Sequence, residues 1–396
     1  MFNIGSNGDG TTIQGFTIQG PDSAAGININ EADNCKIINN TITNCRVGVN
    51  VYHSNNVQIS GNTIHYTGTE YSYGIYSDAS SNLISGNTVN ITGIGSGDSR
   101  GIHTWGDSHK ISENKITVTS SGTGWSYGIS INSNNGNGHD IEISKNIIYT
   151  SAADPYHALA IEFNNAFSNQ AFGNNILGGR IANAGNDNHL NFNRIVGDST
   201  IYSSSETFDA LYNWFGSNTD PSSRISAFEG STVNYSPWLM LKITASPSTI
   251  YAGKTSKIIA DVYTDSNGID HSADASMFFS GPEITFTTDL GNVGSKSITV
   301  PWTLGSAFTI LRADEGVGVA TLIAADIQTV QTTVNILQAP VIDNPEEPIN
   351  NSENSTVEAA SSTTNTVGMQ ETGIPIAGLI LAILMLFSGL IMPKRK

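Results

Sequence analysis

Side chains that can bind a sugar recur at fixed positions in a series of similar short segments. The segments are VGVNVY from Val47, YGIYSD from Tyr73, RGIHTW from Arg100, YGISIN from Tyr127 and HALAIEF from His157. They can be aligned on Gly48, Gly74, Gly101, Gly128 and Ala158. In a β-strand alternate residues face opposite sides, so the second and fourth residues after each reference should face outward together. The strip predicted in this way consists of Tyr52, Tyr76, Asp78, His103, Trp105, Asn132 and Glu162.

The chemistry of such a strip would be glycan binding. Aromatic rings stack on sugar rings, whereas amides and carboxylates hydrogen-bond to sugar hydroxyls. An ordinary polar face of a repeat structure is the alternative, since Asn50, Ser130 and Ala160 are expected on the same side.

Hydrolysis of a glycan would need two carboxylates about 5 to 9.5 Å apart. Asp78 and Glu162 are three segments apart, which at about 4.8 Å per strand is roughly 14 Å. Asp107 could approach Asp78, but the sequence does not place a residue within a turn. His103 and His109 form no motif of metal ligands. The sequence therefore predicts no catalytic residue, metal or cofactor, and a polysaccharide lyase or hydrolase stays the alternative to a binding protein.

The segments belong to an internal repeat. SGNTIHYTG from Ser60 and SGNTVNITG from Ser85 are near copies, 25 residues apart. Period-two alternation bounded by Asn, Gly and Ser predicts short strands and turns. One repeat cannot bury its own apolar face, so the repeats must stack. This predicts an all-β fold, a right-handed parallel β-helix over residues 1–237, whose coils fade after Asn193 and end in a closing segment at 208–223. Equivalent asparagines should form a ladder along it: Asn40, Asn62, Asn87, Asn114, Asn146, Asn175 and Asn193.

Residues 238–338 have a different sequence pattern, with longer predicted strands. Longer alternating stretches, such as SKIIADVYTD and GVATLIAADIQ, are separated by turn signals over roughly 100 residues, which indicates a β-sandwich.

A family resemblance rests on this second region and its junction with the first. SPSTIYAGKTSKIIADVY, ITFTTDLGNVGSKSITV and GVGVATLIAADIQTVQTTVNI resemble a bacterial-type immunoglobulin-like (Ig-like) module of the invasin/intimin kind. NWFG followed by PWLMLKITASPSTI resembles the junction in β-helix adhesin-like surface proteins of methanogenic archaea, which often have two tryptophans where this chain has Trp214 and Phe215. The resemblance covers nearly the whole chain. It implies surface display and adhesion, and it assigns no catalytic residue.

The last 58 residues predict a membrane anchor. Residues 339–372 contain no Lys or Arg and six acidic residues, a composition typical of a disordered stalk. Residues 373–392 are 20 uncharged positions, enough for a transmembrane helix. The basic tail at 393–396 should be cytoplasmic and everything earlier outside, as in a single-pass cell-surface protein.

The net charge of the chain limits the classes of partner that it can bind. A formal net charge of −17 argues against a nucleic-acid partner. The expected partners are cell-surface glycans or envelope components, and the membrane through the C-terminal helix.

Glycosylation signals lie at Asn39, Asn90, Asn234, Asn350 and Asn354. Cys35 and Cys45 form either a disulfide or two buried thiols.

The first residues already read as a repeat, in TTIQGFTIQG, with Phe16 where later repeats have Asn. No signal peptide precedes them, so we expect that Met1 is not the natural start or that upstream repeats are missing. Taken together, the sequence predicts a membrane-anchored adhesin-like protein that binds glycans or neighbouring cell surfaces. A polysaccharide-active enzyme and a structural envelope protein are the alternatives.

Overall fold

The computed structural model describes residues 1–133 and 136–340, and strands are numbered here in chain order. Its first part is a parallel β-helix of three sheets in which each strand pairs with its equivalent in the next coil. Sheet 1 contains β1 (Phe2–Ile4), β4 (Ala25–Asn30), β7 (Val47–Tyr52), β10 (Ser72–Asp78), β13 (Ser99–Thr104), β16 (Ser126–Asn132), β19 (Ala158–Asn164), β22 (Arg180–Asn183), β25 (Ile201–Ser203) and β27 (Ile225–Ala227).

The other two sheets complete each coil. Sheet 2 contains β2 (Thr12–Gln14), β5 (Lys36–Ile38), β8 (Gln58–Ser60), β11 (Leu83–Ser85), β14 (Lys110–Ser112), β17 (Glu142–Ser144), β20 (Gln170–Phe172), β23 (His189–Asn191), β26 (Thr207–Asp209) and β28 (Thr232–Asn234). Sheet 3 contains β3 (Thr17–Gln19), β6 (Thr41–Thr43), β9 (Thr63–Gly68), β12 (Thr88–Gly93), β15 (Lys115–Ser120), β18 (Ile147–Ala152), β21 (Asn175–Ile176) and β24 (Arg194–Ile195).

Stacked aliphatic side chains fill the interior of the β-helix. Val49, Ile75, Ile102 and Ile129 occupy successive coils of sheet 1 in register and are fully buried. Burying one such side chain contributes about 1.5 to 3 kcal/mol. Because each coil alone is too thin to bury these residues, stacking is what makes the fold stable. The predicted parallel β-helix is confirmed.

The asparagine ladder runs through eight coils, with Nδ2 of each residue donating to Oδ1 of the next at 2.9 to 3.1 Å. Each ladder residue directly follows a residue with positive φ, such as Gly61 before Asn62. Phe16 occupies the equivalent position in the first coil, where its N–H donates to Asn40 Oδ1. The members are Asn40, Asn62, Asn87, Asn114, Asn146, Asn174, Asn193 and Asn213.

One prediction about the ladder and one about the end of the β-helix are wrong. Asn174 is the ladder residue rather than Asn175, because Gly173 has the positive φ of 66° that must precede the ladder position. Asn175 instead begins β21 and donates through Nδ2 to Ser280 O at 3.0 Å. The coils also do not fade after Asn193: the ladder reaches Asn213, and parallel pairing continues to β27 and β28.

Residues 239–337 form two further sheets that share one apolar core. Sheet 4 contains β29 (Leu239–Ser246), β31 (Thr255–Asp265) and β34 (Ser306–Arg312), all antiparallel. Sheet 5 contains β30 (Thr249–Tyr251), β36 (Thr329–Leu337), β35 (Gly318–Ala325), β32 (Glu283–Thr288) and β33 (Ser297–Pro301), with only the β30–β36 pair parallel. Three short 3₁₀ helices lie at Pro155–His157, Ser222–Arg224 and Ser272–Met277. A kinship of this two-sheet region with Ig-like modules stays a prediction.

Residues 1–340 form one compact unit, and buried contacts join its two parts. Phe192 and Trp214 of the β-helix belong to the apolar core of sheets 4 and 5. Arg194 and Asp326 form an ion pair of 2.5 Å with side chains 6% and 3% exposed, and Trp214 Nε1 donates to Asp326 Oδ2 at 3.1 Å. The β-helix therefore passes into the second part through a packed junction.

From residue 341 onward the chain lies outside the described residues. This applies to the predicted stalk apart from its first two residues, the predicted transmembrane helix at 373–392, the basic tail at 393–396, and Asn350 and Asn354. Within 1–133 and 136–340, no helix is both long enough and apolar enough to cross a membrane.

Candidate functional site

The outer face of sheet 1 carries three rows of side chains, each row running from coil to coil. Adjacent strands are about 4.8 Å apart, so each row is a closely spaced line. Row A contains Val47, Tyr73, Arg100, Tyr127, Leu159 and Arg180. Row B contains Asn50, Tyr76, His103, Ser130 and Glu162. Row C contains Tyr52, Asp78, Trp105, Asn132 and Asn164.

A small residue between rows A and B is required by the close approach of successive coils. A Cβ on Gly74 would lie 2.6 Å from Gly101 O, and one on Gly128 would lie 2.5 Å from Ala160 O. The tightly packed residue points inward: a Cβ on Gly74 would lie 2.3 Å from Cγ1 of Val89, an interior side chain of sheet 3, and Ala160 belongs to the apolar core of the β-helix. Row A, immediately before it, therefore faces outward together with row B, two residues after it.

The register of β19 differs from the prediction. Ser126 pairs with Ala158, so Ala160 rather than Ala158 takes the glycine position and is fully buried. Glu162 consequently lies beside Ser130 in row B, not beside Asn132 in row C. The segment HALAIEF offers two alanines, and the alternating pattern alone does not choose between them.

Four rings form a connected group, which we call the aromatic strip: Tyr73, Tyr76, His103 and Trp105. Tyr76 lies 5.4 Å from Tyr73 and 5.6 Å from His103, and His103 lies 5.6 Å from Trp105 between ring centroids. Asp78 is beside Trp105 in row C, because Trp105 N donates to Ser77 O. The structure thus brings four of the predicted residues, Tyr76, Asp78, His103 and Trp105, together.

The remaining predicted residues lie at the edges of this strip. Tyr52 is 40% exposed and stacks on His53 at 3.9 Å. Asn132 Oδ1 lies 3.2 Å from the Ser130 hydroxyl, which also lies 2.7 Å from Glu162 Oε2. These residues extend the polar surface rather than the aromatic one.

His103 is the buried centre of the aromatic strip. It is 3% exposed, and its Nδ1 has no hydrogen-bond partner among residues 1–133 and 136–340. Burial, reinforced by the positive charge of Arg100, lowers the pKa of His103 to about 3. The ring is therefore neutral near pH 7 and supports its neighbours by packing.

A second group on this face was not predicted from the sequence. Arg100 pairs with Asp98 at 3.1 Å, and its guanidinium carbon lies 4.3 Å from the centroid of Tyr127. The other oxygen of Asp98 accepts from Trp125 N at 3.1 Å. Burial raises the pKa of Glu162, and the charge of Asp98 raises it further while Arg100 opposes the shift. Two carboxylates and an arginine therefore interact on one face.

One sequence signal could have indicated this group. The residues directly before the aligned glycines are Tyr73, Arg100 and Tyr127. Strict alternation places them inside the β-helix, because it assigns every second residue to the core. At the packed glycine two consecutive residues point inward, so the alternation shifts by one residue there and row A faces outward.

Other candidate residues have structural roles. Asp107 does not pair with Asp78; its Oδ1 accepts from Gly138 N at 2.6 Å. Cys35 and Cys45 are buried free thiols, so the disulfide alternative is wrong, and burial raises the pKa of both. No cluster in the described part of the chain could hold a metal. Among the glycosylation signals, Asn39 and Asn234 are exposed and Asn90 is half-buried.

Among the comparisons with known proteins, one family model agrees with the β-helix fold. A family model described as a right-handed β-helix region matches residues 3–98. No curated protein matches the chain. Among solved structures, a double mutant of the tailspike protein of E. coli bacteriophage HK620 is 10% identical, with 82% of this chain and 69% of that chain covered and a TM-score of 0.30. The Dettilon tailspike protein is 13% identical, with 76% and 85% covered and a TM-score of 0.23. Both TM-scores are below 0.5, so neither structure informs the ligand of this chain.

Proposed function

We propose that this protein binds glycans through the outer face of sheet 1. The observation that carries the proposal is the aromatic strip with Asp78 beside it. Tyr73, Tyr76 and Trp105 are half-buried, so each ring is held in place by its neighbours and still presents part of its surface. Rigid rings of this kind bind at low entropic cost. Asp78 supplies an acceptor for sugar hydroxyls.

The setting of this binding face is also part of the proposal. The resemblance to adhesin-like surface proteins, the uncharged run at 373–392 and the basic residues after it favour a cell-surface protein anchored by one helix. In this arrangement residues 238–338 are an Ig-like module and the acidic segment at 339–372 is a stalk. Together they would hold the β-helix away from the membrane. Protease added to intact cells should then release the β-helix, whereas protection of the whole chain would contradict the topology.

Glycan-array binding by the full chain tests the proposed ligand class. Replacing Trp105 by alanine should weaken binding on the order of 30-fold, because loss of an aromatic anchor often costs at least about 2 kcal/mol. Tyr251→Ala is a matched control, since Tyr251 is an exposed aromatic residue on β30. Equal binding by the Trp105 variant and the wild type would refute the strip as the binding surface.

A second candidate function is glycan hydrolysis, favoured by Glu162, whose pKa is raised by burial and by the charge of Asp98 and whose Oε2 accepts from the Ser130 hydroxyl at 2.7 Å. A carboxyl group with a raised pKa acts together with a second carboxylate in acid–base cleavage of glycosidic bonds. Incubation with envelope and plant polysaccharides, with detection of new reducing ends, tests this candidate. Turnover that is lost in Glu162→Gln would establish an enzyme, whereas binding without turnover leaves adhesion as the function.

A further inference from the structure

We propose that a cavity next to the outer face of sheet 1 binds the carboxylate of an acidic sugar through Arg180. This inference rests on the proposed glycan binding and specifies the class of sugar. The cavity has a volume of about 330 Å³, and its polar lining comes from Ser151, Tyr156, Arg180, Asp198 and Thr200. That volume is at the lower end of the range for small-molecule pockets, about 300 to 1,000 Å³.

Arg180 is held in place by stacking and makes no hydrogen bond to another described residue. Its guanidinium carbon lies 4.0 Å from the ring centroid of Tyr156 and 5.2 Å from that of Tyr202. Its Nε is buried and has no hydrogen-bond partner within the described part of the chain. In the same residues, no carboxylate lies within 4.0 Å of Arg180.

The other two arginines nearby are already engaged. Arg100 pairs with Asp98 at 3.1 Å. Arg224 donates to backbone carbonyls, including Phe215 O at 2.8 Å and Ser199 O at 2.8 Å. Of these three arginines, Arg180 is the one without a hydrogen bond or ion pair to a described residue, although its charge acts on Glu162 and lowers the pKa of that carboxyl.

The chemistry of the cavity matches a carboxylated sugar. A guanidinium presents parallel N–H donors that match the two oxygens of a carboxylate, and aromatic stacking pre-orders it. Tyr156 is 57% exposed and can contact a sugar ring, while the hydroxyls of Ser151 and Thr200 can bond to sugar hydroxyls. Asp198, also in the lining, accepts hydroxyl hydrogens and repels a second negative charge, which favours one acidic group per sugar unit.

Titration of the full chain with single sugars tests the cavity apart from the longer strip. The probes are D-galacturonate, D-glucuronate and D-mannuronate, their methyl esters, and galactose 6-sulfate, with binding followed by NMR. At least one acid should bind, and its methyl ester should bind at least about 10-fold more weakly. Arg180→Gln should weaken binding of the acid on the order of 10- to 100-fold and leave that of the ester unchanged. Arg312→Gln is the control, since Arg312 is exposed on β34.

The variants Trp105→Ala and Arg180→Gln distinguish binding in the cavity from binding on the aromatic strip. Trp105 does not line the cavity, so Trp105→Ala should leave binding of single acidic sugars unchanged. If Trp105→Ala also leaves glycan-array binding unchanged while Arg180→Gln weakens acid binding, the strip fails and the cavity stands. Failure of all three acids to bind the wild type, or equal binding by the wild type and Arg180→Gln, would overturn the inference. Galactose 6-sulfate binding as tightly as the acids would overturn the assignment to a carboxylate.

Discussion

Replacing Asn114 by alanine should destabilise the β-helix far more than an ordinary surface substitution does. Its Oδ1 accepts from both the backbone N and Nδ2 of Asn87, at 3.0 and 2.9 Å. Its Nδ2 donates to Ile84 O and to Asn146 Oδ1, each at 2.9 Å. The substitution removes all four bonds of a side chain that is 1% exposed.

The magnitude follows from which groups lose their partners. The backbone N–H of Asn87 is left without an acceptor, which costs about 1 to 3 kcal/mol for a buried group. The other three bonds leave partners that keep at least one further contact, so each contributes nearer the net value of about 1 kcal/mol. The free energy of unfolding should fall by about 4 to 6 kcal/mol, which is exceptional for one substitution.

Urea unfolding followed by circular dichroism measures this loss. Asn90→Ala is the matched control, because Asn90 is half-buried on the outer face of sheet 3 and makes no side-chain hydrogen bond to a described residue; its effect should be within about 0.5 kcal/mol. Asn174→Ala should resemble Asn114→Ala, whereas Asn175→Ala should not. A loss below about 1 kcal/mol for Asn114→Ala would refute the ladder as a main source of stability.

Three further predictions concern buried groups. The pKa of His103 is lowered to about 3, so the unfolded chain binds an extra proton between about pH 3 and 6.5 and stability falls as pH falls through that window. His103→Gln should reduce the slope of the urea midpoints measured across this window, with the buried His109, whose pKa is lowered to about 4, still contributing to the remainder. An unchanged slope would contradict the buried neutral ring of His103. Asp326→Asn should destabilise the junction by about 3 to 5 kcal/mol in thermal or urea unfolding, because Arg194 is left buried without its counter-charge, and a loss under about 1 kcal/mol would be incompatible with this pair. The buried thiols of Cys35 and Cys45 should react with a thiol reagent only after urea unfolding, so rapid reaction in buffer would show that the first coils open.

The sequence by itself determined the coil and its period. Strands such as Thr63–Gly68 and Thr88–Gly93 are visible as alternating residues between Gly and Asn, because one face of each must be apolar to fill the interior. Most of the ladder was predictable for a similar reason: a buried polar residue that recurs in every coil must bond to its own copies. At Asn174 and Asn175 the pattern was ambiguous, and the positive φ of Gly173 decided the register.

The tertiary structure decided which residues share the outer face of sheet 1. Strict alternation, extended to the residue before each glycine, would place Arg100 and Tyr127 inside, and the alignment on Ala158 placed Glu162 beside Asn132. Both assignments are wrong because the packed position held by Gly128 and Ala160 points inward together with the residue after it, which shifts the alternation by one residue. Arg180 reaches its cavity only because loops from separate coils meet there. Such contacts depend on where the backbones of successive coils touch, a property of the stacked structure that no single repeat encodes.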